Sequence, residues 1–184
     1  MKINEINIST ERLILKGITV SDAESMFTYR SNPKIYKYQS FKPQTLEDVE
    51  EFISEKIAKI PNVPDTWYQL GIFIKETGEL AGDIGIHFID PDNLQAEIGY
   101  TLSLEHQSKG YASEAVTGVI DYLFNNLHKH RITASVDPGN TRSIKLLERI
   151  GMRKEAHFIK SLWFNNEWAD DMVYAILNEE WVNR

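Results

Sequence analysis

The sequence contains no cysteine among its 184 residues. This excludes disulfide bonds, thiol catalysis and cysteine-based zinc or iron–sulfur sites, and it favours a reducing compartment. Positive charge is scarce as well, since 20 Lys and Arg residues stand against 27 Asp and Glu residues, a formal net charge of −7. Because nucleic-acid backbones attract basic surfaces, we expect no nucleic-acid partner, and the acidic balance instead favours a cationic partner such as an amine.

Long hydrophobic runs are also missing. No stretch of about 18 apolar residues occurs, so no membrane-spanning helix is expected. Polar residues interrupt the first eight positions too often for the apolar region of a signal peptide. We therefore expect a cytoplasmic protein without a membrane partner, folded as one domain over residues 1–184.

Hydrophobic periodicity alternates along the chain between strand-like and helix-like stretches, which predicts a mixed α and β fold. We expect the order β-α-α-β-β-β-α-β-α-β-β, with Ser21 capping the first helix, Asn32-Pro33 ending it, and a hairpin turn at residues 90–93. The predicted strands cover residues 12–17, 67–75, 80–89, 94–104, 131–136, 158–164 and 172–177, and the predicted helices cover residues 22–30, 45–60, 109–126 and 140–150.

The segment Gln107-Ser108-Lys109-Gly110-Tyr111-Ala112 follows a predicted strand and opens a predicted helix. A helix N-terminus offers unpaired N–H groups and the positive end of the helix dipole, and Gly110 allows a ligand to approach the backbone closely. Lys109 is unfavourable beside that positive end unless an anion binds there. The segment therefore indicates a phosphate-binding loop, with an ordinary helix start carrying an exposed lysine as the alternative.

A second candidate site lies at the start of the next predicted helix. Asn140 is a natural N-cap residue, and Ser143 shares a helix face with Leu146, Leu147 and Ile150. A serine on an apolar face needs a hydrogen-bond partner or a ligand. Ser143 is therefore either a ligand contact or a serine bonded to the local backbone.

Several ordered blocks of the sequence together resemble the GNAT superfamily of acetyl-CoA-dependent N-acetyltransferases, and within it the branch named for the ribosomal-protein N-terminal acetyltransferases. The resemblance covers nearly the whole chain and is more specific for family and cofactor than for substrate. The blocks are Thr10-Glu11-Arg12-Leu13, Ala96-Glu97-Ile98-Gly99-Tyr100, Gln107 to Ala115, Asp137 to Ser143, Leu147-Glu148-Arg149-Ile150-Gly151, and Tyr174-Ala175-Ile176-Leu177 with Glu180-Trp181.

The resemblance implies a single α+β domain in which a mixed, mostly antiparallel sheet splays apart between central strands and carries helices on both faces. Acetyl-CoA would lie in that splay, with its pantetheine paired to backbone around Leu102–Leu104, its pyrophosphate held by N–H groups of residues 108–112, and its pantetheine and thioester end near Asn140 and Ser143. The implied cofactor contacts are Leu102, Ser103, Leu104, Gln107, Ser108, Lys109, Gly110, Tyr111, Ala112, Asn140 and Ser143.

Two positions depart from the family pattern. Leu147 stands where many relatives have a tyrosine that protonates the departing thiolate, so either Ser143 or a water serves here, or the thiolate leaves unassisted. Met152 stands where an aromatic residue is usual, and we expect it to be a core substitution of similar volume.

Strand alternation identifies candidate bases near the reacting groups. Glu97 shares one strand face with Gly99, and the hairpin turn would add Asp83, Gly85 and His87 to that face. We prefer Glu97 as the general base or water-orienting residue and His87 second, with a solvated polar face as the alternative. At pH 7, deprotonation costs about 1–1.4 kcal/mol for an α-amine and about 4.6 kcal/mol for a lysine amine, so a weak base or a water chain suffices for the former.

The remaining histidines lack the spacing of metal ligands, so no metal site is predicted. Aromatic residues that the fold would place along the acceptor cleft, with ordinary packing as the alternative, are Tyr29, Tyr36, Tyr38, Trp163 and Trp168.

The leading hypothesis is an N-acetyltransferase that moves an acetyl group from acetyl-CoA to a primary amine, either a protein N-terminus or a small cationic amine. Because no cysteine can carry the acetyl group, the transfer would be direct attack of the amine on the thioester. The alternatives are a CoA-binding sensor that has lost turnover and a protein-binding module without a cofactor. Both monomer and homodimer stay open, and the phosphate side is expected to be basic or lined by backbone.

Overall fold

The computed structural model describes residues 5–89 and 91–182. Eight strands form one sheet in the order β1-β2-β3-β4-β5-β6-β8-β7, in which β5 and β6 are parallel and the other neighbours are antiparallel. The strands are β1 (Asn7–Ser9), β2 (Leu13–Gly17), β3 (Thr66–Ile74), β4 (Leu80–Phe88), β5 (Gln95–Leu102), β6 (Arg131–Val136), β7 (Arg153–Phe164) and β8 (Glu167–Leu177).

Helices pack on this sheet and bury two apolar clusters. The longest helix places Val116, Ile120 and Phe124 in the larger cluster, because its apolar residues recur every three or four positions. A smaller cluster forms around Met26 and Val49 of two shorter helices. The helices are α1 (Ala23–Arg30), α2 (Pro33–Tyr36), α3 (Leu46–Glu51), α4 (Tyr111–Asn125), α5 (Thr141–Arg149) and α6 (Asn178–Val182). In the described part of the chain, no helix combines the length and the apolar character that crossing a bilayer requires.

The sheet opens between β5 and β6. Only three residue pairs join these strands, ending with Glu97 opposite Thr133, and beyond this point the two strands separate. The expected splay of the central strands is therefore confirmed. The expected hairpin register is confirmed as well, since His87 lies opposite Glu97 and Gly85 lies opposite Gly99.

The segment before the first helix differs from the prediction. A short 3-10 turn, Val20–Asp22, precedes α1, and Thr19 and Asp22 form a capping box around that turn. The residue that precedes α1 is thus Asp22, and the predicted cap at Ser21 was wrong. Asn32 does more than end a helix, because its side chain accepts from the Lys34 N–H and so begins α2.

The second predicted helix is shorter than expected. It is α-helical only to Glu51, continues as a turn of π-helix over Phe52–Lys56, and becomes extended at Ile57. The chain leaves the helix there because the Ala58 N–H donates to the Trp67 carbonyl, 2.7 Å away.

Three strand predictions also need correction. The first strand, β1, was missed because its three residues bury only Ile8, too little for a periodic signal. The strand predicted at residues 158–164 begins at Arg153, and the strand predicted at residues 172–177 begins at Glu167. Both starts were missed because these segments are exposed or only partly buried and show no apolar alternation. In the predicted turn at residues 90–93, Asp90 lies outside the described residues. Met152, expected in the core, is 2% exposed.

Candidate active site

A cavity of about 600 Å³ lies at the end of β5, where β5 and β6 no longer pair. It is lined by the end of β5, by α2 and the residues that follow it, by the loop and first turn of α4, and by α5 with the residues that precede it. The predicted contacts that line it are Leu102, Gln107, Ser108, Gly110, Ala112, Asn140 and Ser143. The predicted contacts outside its lining are Ser103, Leu104, Lys109 and Tyr111.

The charge of the cavity lining is opposite to that of the whole chain. Lys34, Arg142, Lys145 and Arg149 line the cavity, and no Asp or Glu does so among the residues described. The formal net charge of the chain is nevertheless −7. A cationic concavity in an acidic protein is suited to an anionic ligand.

The loop before α4 presents backbone rather than side chains. Ser108 and Gly110 have positive φ angles of 63° and 84°, which turn the chain sharply into the helix. No side chain caps the N-terminus of α4, so its first N–H groups are available to a ligand. With the cationic lining, this N-terminus forms a site that fits phosphate groups.

Gln107 connects the walls of the cavity. Its side-chain amide donates to the Leu102 carbonyl at 3.1 Å, and its amide oxygen accepts from Arg142 at 2.9 Å. Ser103 bonds away from the cavity, with its hydroxyl 2.6 Å from Nδ1 of His106 and its N–H donating to Ala81. The Leu102 carbonyl and the Ser103 N–H are thus already bonded. The free backbone edge of β5 therefore lies before Ser103, nearer to Tyr100 than to Leu104.

The N-terminus of α5 has the predicted cap and an unpredicted partner. The Asn140 side chain accepts from the Ser143 N–H at 3.3 Å. The Ser143 hydroxyl lies 2.6 Å from the Tyr100 hydroxyl, so its main partner is a side chain of β5 and not the local backbone. Burial raises the pKa of Tyr100 to about 12, although the bond to Ser143 acts in the opposite direction.

The sequence analysis did not identify the contact between Tyr100 and Ser143. The available signal was a tyrosine in an otherwise apolar strand face, which includes Ala96, Ile98 and Leu102. Leu147, at the position of the family's usual tyrosine, is fully buried in the core. The hydroxyls of Tyr100 and Ser143 therefore face the cavity, whereas Leu147 is a core residue that offers no hydroxyl.

Glu97 and His87 lie on the face of β5 and β4 that is opposite Tyr100, outside the cavity lining. Burial raises the pKa of Glu97, an effect that His87 reduces and Asp171 increases. His87 stacks on Trp67 with ring centroids 4.8 Å apart and planes within 6°. A Cβ added to Gly99 would meet open space, so there is room beside Glu97 for a substrate.

A buried charged network supports this second face. Asp83 is 0% exposed, forms an ion pair with Arg30, and accepts from the Tyr29 hydroxyl at 2.7 Å. Gln69 also donates to Asp83. Gln39 joins the network to the cavity, because its amide oxygen accepts from Arg30 and from Thr101 while the residue lines the cavity.

The aromatic residues expected along the acceptor cleft fall into different places. Tyr29 is buried in the charged network, whereas Tyr38 lines the cavity and donates to the Gly139 carbonyl at 3.1 Å. Trp163 and Trp168 pack edge to face at 5.4 Å and are each 58% exposed. Tyr36 is partly buried, and Lys42 lies 5.8 Å from its ring.

The splayed sheet, the backbone loop at a helix N-terminus and the cavity between them define an acetyltransferase of the GNAT type. The family model described as an acetyltransferase (GNAT) domain matches residues 12–153, and the chain belongs to this family. The chain is an N-acetyltransferase, as are the relatives that match it over nearly their whole length.

Three comparisons show how near the relatives are. An uncharacterized N-acetyltransferase from Bacillus licheniformis, p20, is 40% identical over 94% of this chain and 97% of its own. The crystal structure of an acetyltransferase (GNAT family) from Bacillus anthracis is 32% identical and superposes with a TM-score of 0.84 over 95% of this chain and 100% of that one. The ribosomal protein uS5-alanine N-acetyltransferase of Escherichia coli (strain K12) is 25% identical over 97% of this chain and 94% of its own.

Proposed function

We propose that this N-acetyltransferase binds acetyl-CoA in the cavity between β5 and β6 and transfers the acetyl group directly to a primary amine. The observation that carries the proposal is the cationic cavity that joins an uncapped helix N-terminus to an open strand edge. These two features suit the two parts of the ligand, since phosphates bind helix N-termini and an amide-containing chain pairs with a strand edge.

Acetyl-CoA supplies the acetyl group as an activated thioester. The N–H groups of residues 108–112 hold its phosphates, with Arg142, Lys145 and Arg149 adding positive charge. The free edge of β5, within residues 98–102, would pair with the pantetheine, and one N–H of that edge would polarise the acetyl carbonyl.

Glu97 is the preferred base, and His87 or a water chain is the second choice. Its carboxylate lies where the strand pairing ends, beside the space left by Gly99. The raised pKa of Glu97 brings it nearer to that of the amine it would deprotonate, which improves a general base. Glu97 and Asp171 also give this face negative charge that suits a cationic acceptor.

Ser143 would protonate the departing thiolate, with a water or unassisted departure as the alternatives. The Tyr100 hydroxyl, 2.6 Å from the Ser143 hydroxyl, holds a proton at neutral pH because its pKa is about 12. In the proposed relay Ser143 donates from its Oγ to the thiolate sulfur while Tyr100 donates to Ser143, and solvent water then returns a proton to Tyr100, which restores both hydroxyls. Leu147 cannot take part because its side chain is apolar and fully buried.

The acceptor is a primary amine, either a protein N-terminus or a small cationic amine. The name of the Escherichia coli relative, at 25% identity, supports a protein N-terminus. The absence of cysteine supports a reducing compartment, and we propose the cytoplasm.

The test begins with a thermal unfolding series in acetyl-CoA. At 100 times its Kd, the ligand should add about 2.7 kcal/mol to the free energy of unfolding. No shift at millimolar acetyl-CoA would contradict the cofactor assignment. Release of free CoA is then measured with a panel of N-terminal peptides and small amines, and binding without release by any amine would favour the sensor alternative.

A further inference from the structure

The block Thr10-Glu11-Arg12-Leu13 has no role in the site described so far. In the structure it lies against the first turn of α4, where Glu114 is held from three directions. The Arg12 guanidinium donates from Nε at 2.6 Å, the Arg12 N–H donates at 2.7 Å, and the Thr10 hydroxyl donates at 2.6 Å. The segment between β1 and β2 is thereby fixed to the start of the helix.

Arg12 also reaches the loop that precedes the helix. Its Nη1 donates to the Lys109 carbonyl at 2.9 Å, and its guanidinium lies 4.7 Å from the centre of the Tyr111 ring. In a trans peptide unit the C=O and the following N–H point in opposite directions. Holding the Lys109 carbonyl toward Arg12 therefore turns the Gly110 N–H to the other side, and Gly110 lines the cavity.

The same contact neutralises a carboxylate beside the phosphate loop. Although burial opposes it, the hydrogen bonds from Thr10 and Arg12 and the Arg12 charge lower the pKa of Glu114. Glu114 is therefore ionised at neutral pH, one turn from the N-terminus of α4. Without Arg12 its charge would repel an anion at that N-terminus.

We propose that Arg12 is a positioning residue for cosubstrate binding: it orients the peptide between Lys109 and Gly110 and cancels the charge of Glu114. This role rests on the proposed function, since it concerns the loop that would hold the phosphates of acetyl-CoA. It predicts that Arg12 contributes to the binding of the diphosphate part of the ligand and not to the binding of the thioester part.

The experiment compares two ligands by NMR titration of the full chain, acetyl-CoA and acetyl-pantetheine, which lacks the diphosphate together with the 3′-phosphoadenosine. We expect Arg12→Ala to weaken acetyl-CoA binding about tenfold and to leave acetyl-pantetheine binding unchanged. Equal weakening of both ligands, or of neither, would overturn the role of Arg12. If the unchanged protein bound neither acetyl-CoA nor acetyl-pantetheine, both the proposed function and the role of Arg12 would be overturned.

Two further variants separate positioning from general structure. Arg153 is the matched control, because its side chain is 42% exposed against 43% for Arg12. It forms ion pairs with Glu155 and Glu180, as Arg12 does with Glu114. We expect Arg153→Ala to change the affinity for neither ligand. Glu114→Gln keeps the Arg12 contact with Lys109 and removes the repelling charge, so it should not weaken acetyl-CoA binding, and a loss equal to that of Arg12→Ala would contradict the orienting contact.

Discussion

Strand β5 separates two regions of the molecule that are built in different ways. On the proposed donor side, the cavity is lined by two helix N-termini and by the loop of residues 107–112, which is continuous in sequence. On the acceptor side, the face of Glu97 is supported by side chains that come from α1, β3 and β4 and include the buried Asp83. The first region therefore depends on backbone conformation and the second on the pairing of side chains.

The largest expected effect tests the acceptor side. Asp83→Asn removes the charge that balances buried Arg30, which should lower the free energy of unfolding by about 3–5 kcal/mol. We expect the Kd for acetyl-CoA to change little, measured at a temperature where the variant is fully folded. Denaturant unfolding provides the first quantity and calorimetry the second.

The control for this substitution is Glu51→Gln, which removes the exposed partner of Lys56. An exposed ion pair contributes little, so the free energy of unfolding should stay nearly constant. If Asp83→Asn left stability unchanged but weakened acetyl-CoA binding, the contrast between the two sides would be wrong.

The next effect tests the donor side. Gly110→Glu places a Cβ at a φ of 84°, where it would meet the Arg12 guanidinium at 3.1 Å, and it adds a negative charge to the proposed phosphate loop. A left-handed conformation costs such a residue about 1–2 kcal/mol of stability, whereas the repulsion between the added carboxylate and the anionic ligand lowers affinity. We expect affinity for acetyl-CoA to fall on the order of 100-fold, since each 1.4 kcal/mol is a factor of ten.

Gly78 offers the matched control for Gly110. Its φ is 75° and a Cβ there would meet open space in the β3–β4 turn. Gly78→Glu carries the same backbone strain without the ligand, so stability should fall while the Kd for acetyl-CoA holds. A similar loss of affinity in both variants would mean that strain alone accounts for the effect.

A smaller effect, on kcat, is expected at the hydroxyl pair of Ser143 and Tyr100. Ser143→Ala should lower kcat about tenfold, less than the 10²–10⁴ typical of acid catalysis, because a thiolate leaves easily. Tyr100→Phe should act through the same proton path, so the double variant should be no slower than Ser143→Ala. Additive losses, or equal losses in kcat and in acetyl-CoA affinity, would show that Ser143 only binds the ligand.

The smallest effect concerns Glu97. For an α-amine acceptor, Glu97→Gln should reduce kcat/KM at pH 7 by less than about tenfold, because deprotonation costs only about 1–1.4 kcal/mol. It should also change the acidic limb of the pH profile, to which the raised pKa of Glu97 contributes together with protonation of the amine. A change of the limb in His87→Gln and not in Glu97→Gln would make His87 the base.

The pH dependence of stability gives an independent measure of the raised pKa of Glu97. Its pKa is higher in the folded than in the unfolded protein, so folding favours the protonated form. That contribution is present below the unfolded pKa and is lost as pH rises through the folded pKa. Glu97→Gln should therefore raise the Tm at pH 7 relative to the unchanged protein, with the gain disappearing in acid.

The sequence predicts the local parts of both sides. The cap at Asn140 and the helix after Gly110 on the donor side, and the register of His87 with Glu97 on the acceptor side, each follow from spacing within a short segment or one hairpin. The pair Arg30–Asp83 is 53 residues apart, so only the folded sheet brings it together. Tyr100 and Ser143, 43 residues apart, meet for the same reason.

The short pairing of β5 with β6 also bears on how long the protein survives in a cell. Among the residues described, no strand pairs with β5 beyond Glu97 on this side, and Gln107 covers only the Leu102 carbonyl. An unpaired strand edge is a template for adding a foreign strand, and so for aggregation. A cosubstrate that fills the opening protects this edge, so under the proposed function the abundance of the enzyme would follow the cellular supply of acetyl-CoA.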